Sequence, residues 1–280
     1  MTGLDLRPLS LGEILDRTFT LYRRHFLLFL GLSGIPQVLV LALGLAQTMY
    51  TPMYPQIPAT GFRMFSATNL IFMLVTLLVT MVAYLLSQGG TVLAVSEIYL
   101  GRPTTVGESL RRVWDEIGTM FGVVFLNGLA VGVGFILLII PGIYLMCRLL
   151  VAVPAALIEK RGAVESLERS FGLTRDNAGR AFLIMLLSAV ITYAADMLFT
   201  FPFGVGIALS MRDYSMLRTW TAMSQIGGTV GSILTVPVLL IATSVFYYDL
   251  RVRKEAFDLQ IMLNPESQAG PRMGPPSILS

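Results

Sequence analysis

The chain reads as an all-α, polytopic membrane helix bundle of about six transmembrane helices, built as three parallel repeats of one interfacial amphipathic helix followed by a helical hairpin. Three observations predict this. The 280 residues are 55% apolar and only 13% charged, with a mean hydropathy of +0.73, whereas soluble domains keep about a quarter of their residues charged. Uncharged runs join His25 to Arg63, Arg63 to Glu97, Glu116 to Arg148, Arg180 to Asp196, Asp196 to Arg212 and Arg218 to Asp249. Several exceed the roughly 20 residues that cross a ~30 Å hydrocarbon layer. Finally, the pattern Glu-x-Leu-x-Arg-x-aromatic occurs three times, each time ahead of a pair of such runs.

The first copy is Glu13-Leu15-Arg17-Phe19, the second Glu108-Leu110-Arg112-Trp114 and the third Glu165-Leu167-Arg169-Phe171. At ~100° per residue, Glu and Arg four apart share one face, and Leu and the aromatic share the opposite one. Ser10-x-x-Glu13 and Thr105-x-x-Glu108 have the form of capping boxes, and Gly162 stands at the same place before Glu165. Leu11, Leu15, Phe19, Tyr22 and Phe26 continue the first apolar stripe. Each copy is therefore expected to lie at the membrane interface with its aromatic side in the acyl boundary, which makes Phe19, Trp114 and Phe171 equivalent anchors.

The spans are expected at 26–48, 68–96, 119–139, 143–158, 181–201 and 229–248. The first twenty residues contain Asp5, Arg7, Glu13, Asp16 and Arg17 and lack the apolar core of a cleavable signal, so the N-terminus is expected in the cytoplasm. That orientation leaves only Arg63, Arg212 and Arg218 outside and Arg148 within a span, with the other sixteen of the 20 Lys and Arg inside. Both termini are then cytoplasmic. Keeping the basic 160–180 region on the same side as the basic 102–112 region requires a tight outer turn at Pro141-Gly142.

An acid followed by a base closes the second span of every repeat: Glu97 with Arg102, Glu159 with Lys160 and Arg161, Asp249 with Arg251. The integral membrane domain is thus expected over 1–263, with repeats at about 9–100, 104–160 and 162–255. The segment 264–280, rich in Pro and Gly without an apolar period, reads as a disordered cytoplasmic tail. All three interfacial helices fall on one side, so the repeat is parallel, unlike the inverted repeats of many secondary transporters.

Three segments resemble a known family: Leu6-Arg7-Pro8-Leu9-Ser10-Leu11-Gly12-Glu13-Ile14-Leu15-Asp16-Arg17, Ile140-Pro141-Gly142-Ile143-Tyr144 with Arg148, Pro154 and Glu159, and Tyr247-Tyr248-Asp249-Leu250-Arg251-Val252-Arg253-Lys254-Glu255-Ala256-Phe257-Asp258. The chain is similar to the membrane domain attached to some bacterial glycerophosphoryl diester phosphodiesterases and to related uncharacterised inner-membrane proteins. The resemblance implies a membrane module without its hydrolase, since the family's catalytic histidines and glutamates reside in a separate soluble barrel.

The residues carry little chemistry of their own. His25 is the single histidine and Cys147 the single cysteine, so neither a two-histidine acid/base pair nor a thiolate metal cluster can be assembled. No cofactor is expected. A pI near 9.1 could suggest nucleic acid, but the cations flank apolar spans in no continuous stripe, so none is expected as a partner. Gly128, Gly132, Gly134, Gly227, Gly228 and Gly231 read as close helix contacts, and the 15 methionines as packing.

Two charges lie inside spans. With the outer turn at Pro141-Gly142, Arg148 falls roughly 9 Å below the outer surface and Asp196 roughly 22 Å above the inner one, nearly the same depth in a ~30 Å core. Arg148 and Asp196 are therefore a candidate intramembrane polar pair, set against the alternative in which Arg148 snorkels and Asp196 pins two helices. The expected function is a non-enzymatic membrane module that interacts with membrane lipids or assists another membrane protein. The alternative is a small-solute or lipid transporter, which rests on Arg148 and Asp196.

Overall fold

The structure, a computed structural model, describes residues 8–50, 67–210 and 216–255. The tail expected at 264–280 and most of the two loops expected to face outward, at 51–66 and 211–215, lie outside the described residues. Ten helices follow one another: α1 (Leu11–Arg24), α2 (Phe26–Tyr50), α3 (Ala67–Tyr99), α4 (Val106–Asp115), α5 (Ile117–Leu137), α6 (Ile139–Arg148), α7 (Ala152–Glu159), α8 (Ala163–Thr174), α9 (Ala178–Ser210) and α10 (Leu217–Glu255). Six segments are long and apolar enough to cross a membrane, α6 and α7 counting together as one. The protein is a multi-pass integral membrane protein.

The order short helix, long helix, long helix occurs three times, as α1–α2–α3, α4–α5–α6/α7 and α8–α9–α10. The short helices start as their sequences dictate. Ser10 Oγ accepts the Glu13 N–H while Glu13 accepts the Ser10 N–H at 2.7 Å, a complete capping box. Thr105 caps α4 through the Glu108 N–H, but the Glu108 carboxylate turns to Arg112 instead. α8 starts without a side-chain cap, and its Ser166 hydroxyl donates back to the Gly162 carbonyl at 2.7 Å.

Each short helix packs on the end of the last helix of the preceding repeat: α4 on α3, α8 on α7, and α1 on α10. The third contact closes the chain into a pseudo-threefold ring, with α3, α7 and α10 touching one another at its centre. Their burial follows from that position. α7 buries Ala152 to Leu157 without interruption, and α10 buries every residue from Leu240 to Leu250, as a helix apolar on all sides must. The outer helices α2, α5 and α9 leave rows of large apolar side chains exposed, among them Leu39, Phe125 and Leu198. Such a surface is stable only against lipid.

The face by which the short helices dock differs from the sequence expectation. The buried pairs are Ile14 and Thr18, Ser109 and Val113, and Ser166 and Ser170. In every repeat these stand one and five residues after the motif Glu, beside the Leu/aromatic stripe.

Prolines inside the spans set another layer of the packing. Pro36 lacks an N–H and leaves the Leu32 carbonyl without its helical donor; Ser87 of α3 supplies one at 3.2 Å. Pro237 likewise frees the Ile233 carbonyl, which accepts from Ser33 of α2 at 2.9 Å, and the neighbouring Leu234 carbonyl accepts from Tyr22 at 2.9 Å. Hydrocarbon offers no water to such groups, so these bonds tie α1, α2, α3 and α10 together where polar atoms must be satisfied internally.

Two corrections concern the second repeat. The turn is not at Pro141-Gly142: the chain reverses at Leu138, whose backbone is extended (φ −167°, ψ 160°), and Pro141 sits in the first turn of α6, where its missing N–H costs nothing. Gly134 and Gly142 let the hairpin close, since a Cβ on Gly134 would lie 2.9 Å from the Gly142 Cα. The fourth span is also not continuous, because the helix breaks at Leu149-Leu150-Val151 between α6 and α7. The last two spans exceed expectation: α9 has 33 residues and α10 has 39, or about 50 and 58 Å.

Candidate functional site

The charged residues gather where α3, α7 and α10 end. Each end carries the acid expected from sequence, and in two of three repeats its partner is the motif arginine of the next short helix. Glu97 receives Arg112 of α4 at 2.7 Å, with Arg102 at 4.0 Å. Glu159 receives Arg169 of α8 at 2.9 Å, Arg161 at 2.6 Å and the Tyr247 hydroxyl at 2.8 Å. The carboxylates Glu97 and Glu108 hold the Arg112 guanidinium above its ordinary pKa. Burial works against the charge of Arg169, but Glu255 and Glu159 overcome it and raise its pKa as well.

The third acid departs from the pattern. Asp249 is fully buried and accepts from Arg180 at 2.8 Å, from Arg253 at 3.0 Å and from the Leu9 N–H at 2.7 Å. The Leu9 carbonyl accepts from Arg180 and Arg253 at 2.7 and 2.5 Å. Both backbone polar groups of Leu9 are thereby held by side chains of α9 and α10. Arg251, the base paired with Asp249 on sequence grounds, turns to Glu255 at 3.1 Å and Glu159 at 3.9 Å instead. Arg17 approaches Tyr99, which stacks on Tyr248 with centroids 4.6 Å apart.

The remaining motif residues divide. Phe19 is 37% exposed and Trp114 58%, so both project from the protein body toward the surrounding lipid. Phe171 is half-buried under the Arg148 guanidinium, 4.8 Å from its ring centre, and is not their equivalent. Glu165 is exposed and makes no ion pair with a described residue. At the α1–α2 junction, partial burial and the Arg24 charge lower the His25 pKa below its ordinary value.

Arg148 and Asp196 do not pair. The Arg148 Nη2 donates to the Phe171 carbonyl at 2.7 Å, and the guanidinium also lies 5.7 Å from the Tyr144 ring centre. Its own carbonyl, freed by the helix break, accepts from Ser170 at 2.8 Å and Thr174 at 2.9 Å. Beside it, Ile140, Ile143, Tyr144 and Cys147 of α6 face Ala178 and Phe182 of α9 across an open groove of 340 Å³. Arg148 is thus level with the start of α9. Asp196 lies fourteen residues beyond Phe182 on the same helix, about 21 Å away. It is exposed, its carboxylate faces Gly228 of α10, and its backbone carbonyl accepts from Thr200 at 2.6 Å.

The glycines sort in the same way. A Cβ on Gly227 would strike the Phe199 carbonyl, and one on Gly206 the Trp220 ring, so α9 and α10 depend on bare backbone. Gly128 and Gly132 meet nothing within 4 Å and are not contacts within the chain. Among the described residues no three His, Cys, Asp or Glu side chains are grouped to hold a metal ion.

Sequence reasoning missed Arg180, Arg253 and Leu9 as partners of Asp249, and the Ser170 and Thr174 hydroxyls that hold the broken span. The only local signals were a buried-boundary acid and a polar i, i+4, i+8 row on α8. No family model, curated protein or solved structure matches the chain.

Proposed function

We propose that the protein is a non-enzymatic module of a bacterial inner membrane that engages the anionic cytoplasmic leaflet and serves a partner protein there. The observation that carries this reading is the division of charge at the ring end. Glu97, Glu159 and Asp249 are consumed by internal pairs, whereas Arg23, Arg24, Arg111, Lys160 and Arg175 are exposed and make no ion pair with any described residue. Phe19 and Trp114 project beside them. Outward cations next to outward aromatics suit an anionic headgroup layer. The excess of basic residues on this side supports a cytoplasmic orientation for it, and the Leu9–Asp249 bond brings the start of α1 and the end of α10 together there.

The transporter alternative loses its support, because Arg148 and Asp196 belong to different levels of the bundle. The reading is tested by Tm in nanodiscs of increasing phosphatidylglycerol content. Tm should rise with anionic lipid, and Arg23→Gln/Arg24→Gln/Arg111→Gln should lose most of that rise while keeping the Tm measured in neutral lipid. Equal Tm in neutral and anionic nanodiscs would overturn it.

A further inference from the structure

We infer that Arg148 and the α6–α9 groove form a discrete site for one phospholipid, with the lipid phosphate on the guanidinium and an acyl chain in the groove. The inference rests on the lipid reading above and deepens it by placing a single lipid class at a single address on the lateral face.

Arg148 belongs to a membrane-spanning segment and has no carboxylate partner among the described residues. A guanidinium has five N–H donors in a planar fork. One is used on the Phe171 carbonyl, while Nε is buried without any acceptor. Among the described residues no acceptor meets Nη1 either. A cation kept at this position without a counter-ion is costly, and a phosphate supplies both the missing charge and acceptors for the fork.

Tyr144 is common to both halves of the site: its ring lies 5.7 Å from the guanidinium and also lines the groove. Every other lining residue, Ile140, Ile143, Cys147, Ala178 and Phe182, is apolar. An opening of 340 Å³ between two lipid-facing helices, walled by apolar groups and ending at an unpaired cation, matches the two ends of a phospholipid in the right order.

The break at Leu149 to Val151 exposes the Arg148 carbonyl to Ser170 and Thr174, and Phe171 stacks on the side chain from the same helix. α8 therefore holds Arg148 at both backbone and side chain. The guanidinium cannot swing to the ring end, where Glu97, Glu159 and Asp249 already have their own arginines.

The test uses the full-length protein in nanodiscs doped with phosphatidylglycerol carrying a diazirine in one acyl chain. Photolysis and peptide sequencing should place the label on Ile143, Tyr144 and Phe182 above the exposed α5 face at Phe125 and Leu129. Arg148→Gln should lower labelling of these residues several-fold, and Arg148→Lys should lower it less. A diazirine-bearing diacylglycerol, which lacks phosphate, should label the groove no more than it labels α5. Phe182→Trp, which fills the groove and leaves Arg148 in place, guards against misfolding and should also reduce the label at unchanged Tm. Even labelling over all lipid faces, equal yield with diacylglycerol, or no response to Arg148→Gln or Phe182→Trp would overturn the site. So would displacement of the label by inorganic phosphate alone, since the chain would then have no part in binding. The two readings fail separately, because Arg23→Gln/Arg24→Gln/Arg111→Gln should leave the groove label intact.

Discussion

Among single residues, Asp249 bears the most on stability. Its carboxylate is wholly shielded and serves two arginines and one peptide N–H, so removing it strands two cations and a donor at once. Asp249→Ala should destabilise the protein by about 3–5 kcal/mol. Glu108→Ala breaks a pair in which both side chains are 47% exposed and should cost about 0.5 kcal/mol or less. Denaturant unfolding in nanodiscs measures both, and equal losses would show that Asp249 is not the closing residue. The buried acids at the span ends were legible in sequence because a carboxylate beside an apolar run needs a partner. Which arginine serves each was not, because Arg180 lies 69 residues from Asp249. The equal depth of Arg148 and Asp196, on which the candidate pair rested, fails for a related reason: it was counted from a turn at Pro141-Gly142, whereas the reversal is at Leu138 and sets Arg148 a full ten residues along α6.

At the level of helices, the three amphipathic segments were readable because a charge pattern at 3.6-residue spacing requires no knowledge of the fold. The break in the fourth span had one local signal, Pro154 in the first turn of α7, within an otherwise uniformly apolar and Gly-free stretch from Leu149 to Ile158. What holds the break was not legible, because the carbonyl that it frees is met by hydroxyls on α8, a different helix. The proline-freed carbonyls of α2 and α10 are similar, because Pro36 and Pro237 mark the donor loss but not the hydroxyl that replaces it. Glycine can be tested directly. Gly227→Ala drives a methyl into the Phe199 carbonyl and should cost about 1–3 kcal/mol by separating α9 from α10. Gly128→Ala faces open space and should change stability by less than about 0.5 kcal/mol. Thermal unfolding of the two variants side by side checks the assignment, and a tolerant Gly227 would refute the close approach.

For the molecule as a whole, the ring means that chain order and spatial order are separable. Leu9 bonds Asp249, so the two ends of the ring can be joined by a short flexible linker from Glu255 to Pro8 and the chain reopened between Lys160 and Gly162. This permutant should fold with a Tm close to that of the parent, because termini at exposed turns are where permutation succeeds. A permutant that fails to accumulate in membranes would show that the seam at α1–α10 is not equivalent to the other two. The threefold order of elements was visible from the repeated motif, whereas closure of the ring was not, since nothing local links residue 9 to residue 249. That seam also sets a clock on biosynthesis. Leu9 and Asp249 are 240 residues apart, so at ribosomal rates of about 5–20 residues per second α1 waits roughly 12–48 s for its partner to be made. Until α10 is made, the Leu9 N–H lacks its acceptor, its carbonyl can meet only Arg180 of α9, and the nascent protein is an open arc. A chain truncated before α10 stays in that state permanently, marked by a half-filled N-terminal latch. The permutant, in which α1 follows α10 directly, shortens the wait to a few residues and shifts the late junction to α7–α8.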